Sequence, residues 1–397
     1  MQKRASRLLT LRETLINHAD DLVKVLPSGE PEPFSALVGE VLASVEQLTH
    51  AASVLPKRLA SHTIRPFHLL NLHQKTLIHH PPLGTLLFVG SGNLPLFSVL
   101  SRLAPALVSG NAVILTSQSS AAAYERLIDL CLEAGLPTGL VQYIHRSDGE
   151  FASLIEGKPN KIFCWGSSDT PHRVRILAAE NHIPVQAEIL PAHVAVILPD
   201  SDIDFASSAL LSSLSESRGS NHPGEHYFIH ERLVEPFFAQ VRQKLDSLHS
   251  PLSQDAGIQK LMDRSTCTPF KAVTDLIHEI NQNWASSRVS VFSKNLYLAH
   301  DIARQLHVPS ALINEQPYSP SLAEVDPEEF VRTQKIRLPR LSIFHFKAPW
   351  WLPHSSFQFQ TFRTYLDLYR RHLTARLRAI PLLLWNLIQM FKNERRL

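Results

Sequence analysis

The stretch Ser220 to Glu231, SNHPGEHYFIHE, sets His222, Glu225 and His226 in the order H-x-x-E-H, with His230 four residues further on. On one face of a continuous helix, two imidazoles and a carboxylate at that spacing converge on a metal ion and activate its bound water. Here Pro223 and Gly224 lie between them. Proline lacks the backbone donor that a helix interior needs, and glycine costs about 1 kcal/mol against alanine there. The segment therefore reads as a polar loop entering a strand over His226 to His230, and no metal ligand is assigned. A metal-dependent hydrolase using His222, Glu225 and His226 is kept as a remote alternative. The potential nucleophiles Cys131, Cys164 and Cys267 are widely spaced, odd in number and free of any C-x-x-C pair. That usage suits a reducing compartment and argues against a disulfide scaffold.

With 397 residues the chain exceeds one ordinary core, so two domains, or one large domain with appendages, are expected. It is 44% hydrophobic and 19% charged, as folded proteins are. Its 14 glycines are about half the usual roughly 7%. Neither G-x-G-x-x-G nor G-x-x-x-x-G-K-[ST] occurs. The start, MQKRASRLLTLRETLINHADDL, is charged and helical in period without a secretory apolar run, which predicts a cytoplasmic location. The net charge of +3 is uneven: residues 361–397 hold eight basic residues against Asp367 and Glu394, leaving the rest slightly acidic. No basic stripe with interleaved aromatics crosses the body, so no nucleic-acid partner is expected.

The elements that would position a site come next. Apolar residues at three- and four-residue steps predict helices over 4–26 and 33–60, parted by PSGEPEP, and an extended hairpin over 62–80. From Pro82, short apolar runs (GTLLFVGS, NAVILTS, LVQYIH, KIFCWGSS, PVQAEIL, HVAVILP) alternate with helical stretches. That order predicts an α/β fold with a parallel sheet, whose ligands sit at the carboxyl ends of the strands. Ser91 to Pro95, Thr116 to Ser120 and Gly166 to Asp169 then surround one crevice. Further helices are expected at 203–217, 232–248 and about 268–282, followed by one more β-α-β unit from RVSVFS to SALINEQ.

Over roughly residues 5 to 335 this order and its local words resemble the aldehyde dehydrogenase superfamily. The words are PPLGTLLFVGSGNLP, PALVSGNAVILT, EAGLPTGLVQYI, VQAEILPAHVAVILPDSDIDFA and VSVFSKNLYLAHDIARQLHVPSALIN. The resemblance implies a Rossmann-type cofactor domain over 1–188, a shortened α/β catalytic-type domain over 189–320, and an irregular segment with a basic and apolar helix over 321–397. It further implies an NAD(P)-dependent oxidoreductase acting on an aldehyde or acyl group, in a homo-oligomer. Its residues can be sought one by one. The thiolate nucleophile falls at Asn221, beside Ser220 and His222, where no sulfur stands. The oxyanion donor falls at Asn93 and the carboxylate that activates water at Glu188. Asn93 as a helix cap and Glu188 as an inert strand residue remain equally open. On the cofactor side the ribose-holding positions read Thr116 and Ser119. The phosphate approach, near Ser91, reads Trp165-Gly166-Ser167 with Pro171 after it, so that Gly166 and Ser167 offer backbone donors while Trp165 and Pro171 narrow the way. Between TDLIHEI and VSVFS only NQNWASSR remains, which removes a segment that the resemblance assigns to the nicotinamide ribose.

These departures predict loss of thiol-dependent oxidation, so that NAD or NADP enters by resemblance alone. The alternative is a non-catalytic binding or oligomerisation partner. In the tail, Ala379 to Phe391 is apolar for thirteen residues, too short for a bilayer span of about 20. Flanked by arginines, it suits peripheral membrane contact through 361–397, or else packing on protein.

Overall fold

The structure is a computed structural model that describes residues 1–26, 34–64, 74–90, 95–117, 120–145, 151–166, 169–189, 192–216, 225–248, 256–284, 287–315, 326–339, 356–368 and 373–394. The chain divides into two compact units. One is Met1–Ala60 with His80–Thr333, the other Ser61–His79 with Gln334–Leu397.

The first unit begins with α1 (Gln2–Asn17), α2 (Ala19–Val25) and α3 (Phe34–Arg58). The single helix expected over 4–26 is two. His18, at φ −110°, ends α1, and Asp20 and Asp21 favour a fresh helix start by lying in the first turn of α2. The His18 ring holds this break in place by meeting Glu133 Oε1 at 2.9 Å and Arg126 Nη2 at 3.0 Å. Leu8, Leu11 and Leu15 of α1 are buried on one stripe, as an amphipathic helix requires.

Strands β1 (His62–Ile64) and β2 (Gln74–His79) belong to the second unit. The first unit resumes with β3 (Thr85–Gly90), α4 (Pro95–Ser109), β4 (Ala112–Ser117), α5 (Ala121–Glu133), β5 (Val141–His145), α6 (Phe151–Glu156), β6 (Lys161–Gly166), α7 (Asp169–Glu180) and β7 (Val185–Ile189). The sheet order is β5-β4-β3-β6-β7 and every pair is parallel. Leu86, Leu87, Phe88 and Val89 are all buried, because a parallel strand is covered on both faces. Leu86, Phe88, Phe163 and Trp165 face a core built with α1, α3, α4 and α5. Leu87, Val89, Ile162 and Cys164 face Val174 and Ala178 of α7. Successive strands step outward from β3 to β5, then the order reverses at β6. The switch point, where ligands of open α/β sheets bind, therefore lies at the carboxyl ends of β3 and β6.

A second parallel sheet follows: β8 (His193–Ile197), α8 (Ile203–Glu216), β9 (Glu225–His230), α9 (Val234–Leu248), α10 (Ala256–Met262), β10 (Cys267–Phe270), α11 (Val273–Asn283), β11 (Arg288–Phe292), α12 (Leu296–Gln305) and β12 (Ser310–Ile313), in the order β10-β9-β8-β11-β12. The β-α-β unit from Arg288 to Ile313 is as expected. The helix expected over about 268–282 is corrected at its start: Cys267–Phe270 is a strand, pairing parallel to Tyr227–His230. Pro269 is tolerated in this strand because β10 lies at the edge of the sheet.

In the second unit β1 and β2 run antiparallel, which is the expected hairpin, and β13 (Gln334–Pro339) adds antiparallel to β2. Two helices follow, α13 (Ser356–Asp367) and α14 (Leu373–Glu394). β13 and α13 lie in a stretch whose sequence carries no clear period.

Candidate functional site

The switch point of the first sheet is built around one arginine. Helix α4 is buried along almost its whole length and carries one cation, Arg102. A charge in such a place needs partners. Arg102 Nη1 donates to Ser98 O at 2.8 Å and Ser101 Oγ at 3.2 Å, and Nη2 donates to Glu188 Oε2 on β7. Its guanidinium carbon stands 4.5 Å from the centroid of the Trp165 ring, a cation–π stack. The arginine side chain is 11% exposed and that of Glu188 42%. Among the described residues the other carboxylate oxygen of Glu188 has a long contact, 3.5 Å, from Gln186 Nε2.

Trp165 lies on β6 beside Glu188. Its ring fills the space over Gly90: a Cβ added to Gly90 would meet Trp165 Cζ2 at 3.0 Å and Tyr124 Oη at 3.4 Å. The indole is edge-on to Phe88 at 5.8 Å, and its Nε1 is buried without a hydrogen-bond partner among the described residues. The hydroxyl of Tyr124, hydrogen-bonded to Ser117, is held well above the usual phenol range by complete burial.

Helix N-termini at this edge would ordinarily attract an anion. That of α4 already holds one, because the Glu40 carboxylate of α3 accepts from Leu96 N at 2.6 Å and Phe97 N at 3.0 Å. Helix α7 carries Asp169 in its first turn. Ser120, at the start of α5, is held at φ 61°, and its Oγ is buried without a hydrogen-bond partner among the described residues.

Of the residues singled out from the sequence, Thr116 is buried on β4, Gly166 ends β6, and Glu188 lies on β7, so the sheet gathers the three at its carboxyl edge. Ser91, Asn93, Ser119, Ser167 and Asn221 lie outside the described residues. Arg102 was not singled out. The signal was available, since a single arginine stands in an otherwise apolar fifteen-residue helix.

The three thiols are placed for packing. Burial pushes Cys131, on α5, up to about 12. It does the same to Cys164 on β6, also to about 12, with Arg175 and Arg102 pulling the other way. Cys267, on the edge strand β10, is raised by burial to about 11, offset in part by Arg264. At neutral pH such groups hold on the order of one thiolate in ten thousand or fewer.

The H-x-x-E-H stretch is taken apart by strand geometry. Glu225 and His226 are consecutive on β9, so their side chains leave opposite faces of the sheet. Glu225 accepts from Ser213 Oγ at 3.1 Å and from the Tyr227 hydroxyl. His226 stacks on Trp284 at 4.8 Å and pairs with Thr268 Oγ1 at 2.9 Å, and burial holds its pKa below the ordinary imidazole value. His230 shares that second face, edge-on to Phe270, while His222 lies outside the described residues. Among the described residues no group of three or more His, Cys, Asp or Glu side chains is arranged to hold a metal.

Two successive parallel α/β sheets, the first with a reversal in strand order at β3 and β6, define a Rossmann-type fold followed by a second α/β domain-like sheet. Solved structures of aldehyde dehydrogenases share it. The NAD⁺ complex of aldehyde dehydrogenase from Bacillus cereus superposes with a TM-score of 0.73 at 16% identity, covering 86% of this chain and 84% of that one. An oxidoreductase from Marinobacter aquaeolei gives 0.72 at 16%, covering 84% and 85%. At such identities the likeness concerns the fold. The sequence model of the aldehyde dehydrogenase family matches residues 1–259, and the chain belongs to that family. It is 27% identical over 263 residues to 4,4'-diapolycopene aldehyde oxidase of a Methylomonas species, covering 64% of this chain and 49% of the relative. To D-glyceraldehyde dehydrogenase (NADP(+)) of Thermoplasma acidophilum it is 23% identical over 290 residues, 71% and 57%. The matches thus span about half the length of these curated relatives.

Proposed function

We propose that this member of the aldehyde dehydrogenase family does not oxidise aldehydes through a thiol, and that it acts by binding, in an oligomer with copies of itself or with another chain. The observation that carries the proposal is the engagement of Glu188 by Arg102 over Trp165. A carboxylate that activates water must offer an oxygen to a proton, and here one of its two oxygens accepts from a guanidinium, which lowers the basicity of the group. Three further features support it: Asn221 at the position that the resemblance gives to the nucleophile, three thiols of raised pKa, and the acidic groups Glu40 and Asp169 at the helix starts where a dinucleotide phosphate would sit. The test is a melting curve with NAD or NADP together with an assay for NADH or NADPH formed from a panel of aldehydes. No ligand-induced shift and no turnover are expected; turnover that disappears in Glu188→Ala would sink the proposal.

A second reading is favoured by the 42% exposure of the Glu188 side chain. In it the chain is an NAD(P)-dependent oxidoreductase of an aldehyde or acyl group, using Asn93 and Glu188 with a different nucleophile or none. Four residues lead from α11 into β11, where the resemblance implies a nicotinamide-ribose segment, so the cofactor would be held through Thr116, Gly166 and their neighbours alone. Unchanged behaviour of an Asn93→Ala, Glu188→Ala double variant removes this reading. The aldehyde names of the relatives suggest the substrates to try first. For either reading a cytoplasmic location is proposed, and cell fractionation tests it.

A further inference from the structure

Helices α13 and α14 pack on each other through one stripe apiece. Thr361, Thr364 and Tyr365 of α13 and Ala379, Leu383 and Asn386 of α14 are buried, and Asn386 Nδ2 donates to Thr364 Oγ1 at 3.3 Å. Away from that seam the pair exposes further apolar residues. On α13, Phe359, Phe362 and Leu366 follow one stripe and are 69%, 59% and 52% exposed. On α14, Ile380, Leu384 and Ile388 follow another at 43%, 56% and 50%, flanked by Leu382 and Trp385 at 52% and 59%. A helix apolar around so much of its circumference is ordinarily covered, and contiguous apolar exposure on two adjacent helices marks a surface that meets something.

Charge says what. Residues 361–397 hold eight basic residues against two acidic ones, and Arg363 and Arg378 are exposed on these same helices. A two-fold contact with a second copy would bring two such basic segments together and oppose itself. An anionic lipid surface matches both properties. No helix among the described residues is long and apolar enough to cross a membrane, which leaves the plane of the interface. We propose that the α13 and α14 pair is an in-plane anchor for anionic bilayers. Its two apolar stripes and the Trp385 indole enter the boundary between headgroups and acyl chains, and Arg363 and Arg378 meet lipid phosphates. This inference is independent of whether the chain turns over an aldehyde.

Co-sedimentation of the full chain with vesicles of phosphatidylcholine, alone or with phosphatidylserine, tests it. The chain is expected to pellet with the serine-containing vesicles, less so as salt rises, with a shift of tryptophan emission to shorter wavelength that Trp385→Phe removes. The variant Phe362→Ser, Leu384→Ser, Ile388→Ser alters only exposed positions, so its melting temperature should hold while its partitioning falls by about a hundredfold or more. Arg363→Glu with Arg378→Glu, which takes the segment from +6 to +2, should weaken the preference for phosphatidylserine several-fold. A full chain that stays in the supernatant with both vesicles overturns the proposal, and so does binding indifferent to lipid charge and salt. A lipid-free dimer that the triple serine variant dissociates also overturns it, and assigns the face to a second copy. The salt series uses the unmodified chain, so the test does not depend on any variant folding.

Discussion

The Arg102 and Glu188 pair is open to a double-variant cycle. In Arg102→Met the apolar stem still covers Trp165, but the guanidinium is lost from the ring, from two acceptors on α4 and from the carboxylate. The stack over a buried ring contributes about 1–2 kcal/mol. The ion pair adds no more than about 1 kcal/mol, because the Glu188 side chain is 42% exposed and its charge can be rehydrated. The expected cost is thus about 1–3 kcal/mol. Glu188→Gln keeps the shape and removes the anion, leaving a nearly buried guanidinium with neutral acceptors, at a cost of about 1–2 kcal/mol. The double variant should cost about 1 kcal/mol less than the two single costs together, since each single change already breaks the shared contact. Urea titration reads these values as midpoint shifts at unchanged slope. Additivity within about 0.3 kcal/mol would refute the pairing. So would a Glu188→Gln chain of full stability, which would leave the carboxylate free for proton transfer after all.

Gly90→Ala sets a Cβ 3.0 Å from Trp165 Cζ2 and should cost about 1–3 kcal/mol in thermal or urea unfolding, most of it recovered in a Gly90→Ala, Trp165→Phe chain. Cys131 should resist alkylation in the native protein at neutral pH. Its thiol is raised from 9.0 to about 12, so the unfolded chain ionises first and the stability from its burial, complete below pH 9, is lost as pH rises toward 12; a Cys131→Ala chain should fall less over that window. His226 is shifted the other way. Burial lowers its pKa, so its contribution is complete above the ordinary imidazole value of 6.5 and is lost as pH falls through that value toward the lower folded one; His226→Gln should flatten the decline, as measured by urea midpoints at pH 7.5 and about 5.5.

What the sequence made legible follows from which interactions are local. The strand Thr85–Gly90 is readable because burial on both faces demands an unbroken apolar run, whereas the return of β6 to pair with β3 is set by tertiary contacts that the order of such runs does not contain. The edge strand Cys267–Phe270 escaped notice: four residues with a proline give no period, and only the partner β9 makes them extended. Trp165 was recognisable as an obstruction. Its direction, onto Gly90 and beneath Arg102, depends on strand and helix registers that no local window contains. The Arg102 to Glu188 contact joins residues 86 apart in sequence, so the arginine announced a need for a partner without naming it. For Glu225 and His226 the proline and glycine before them already broke the ligand spacing in the sequence, and the two-residue repeat of the strand sends the two side chains to opposite faces.

The tryptophan over Gly90 also bears on how this chain can change. An open active site is a standing deficit of cohesion, tolerated because catalysis repays it in fitness. At the switch point the Trp165 indole is buried, against Gly90 on one side and Arg102 on the other. The resemblance puts a threonine at the Trp165 position, and a Trp165→Thr change would now leave a cavity, at a cost of about 3–5 kcal/mol before any ligand could compensate. A change that removes the indole therefore runs uphill in stability, whatever it does for ligand binding.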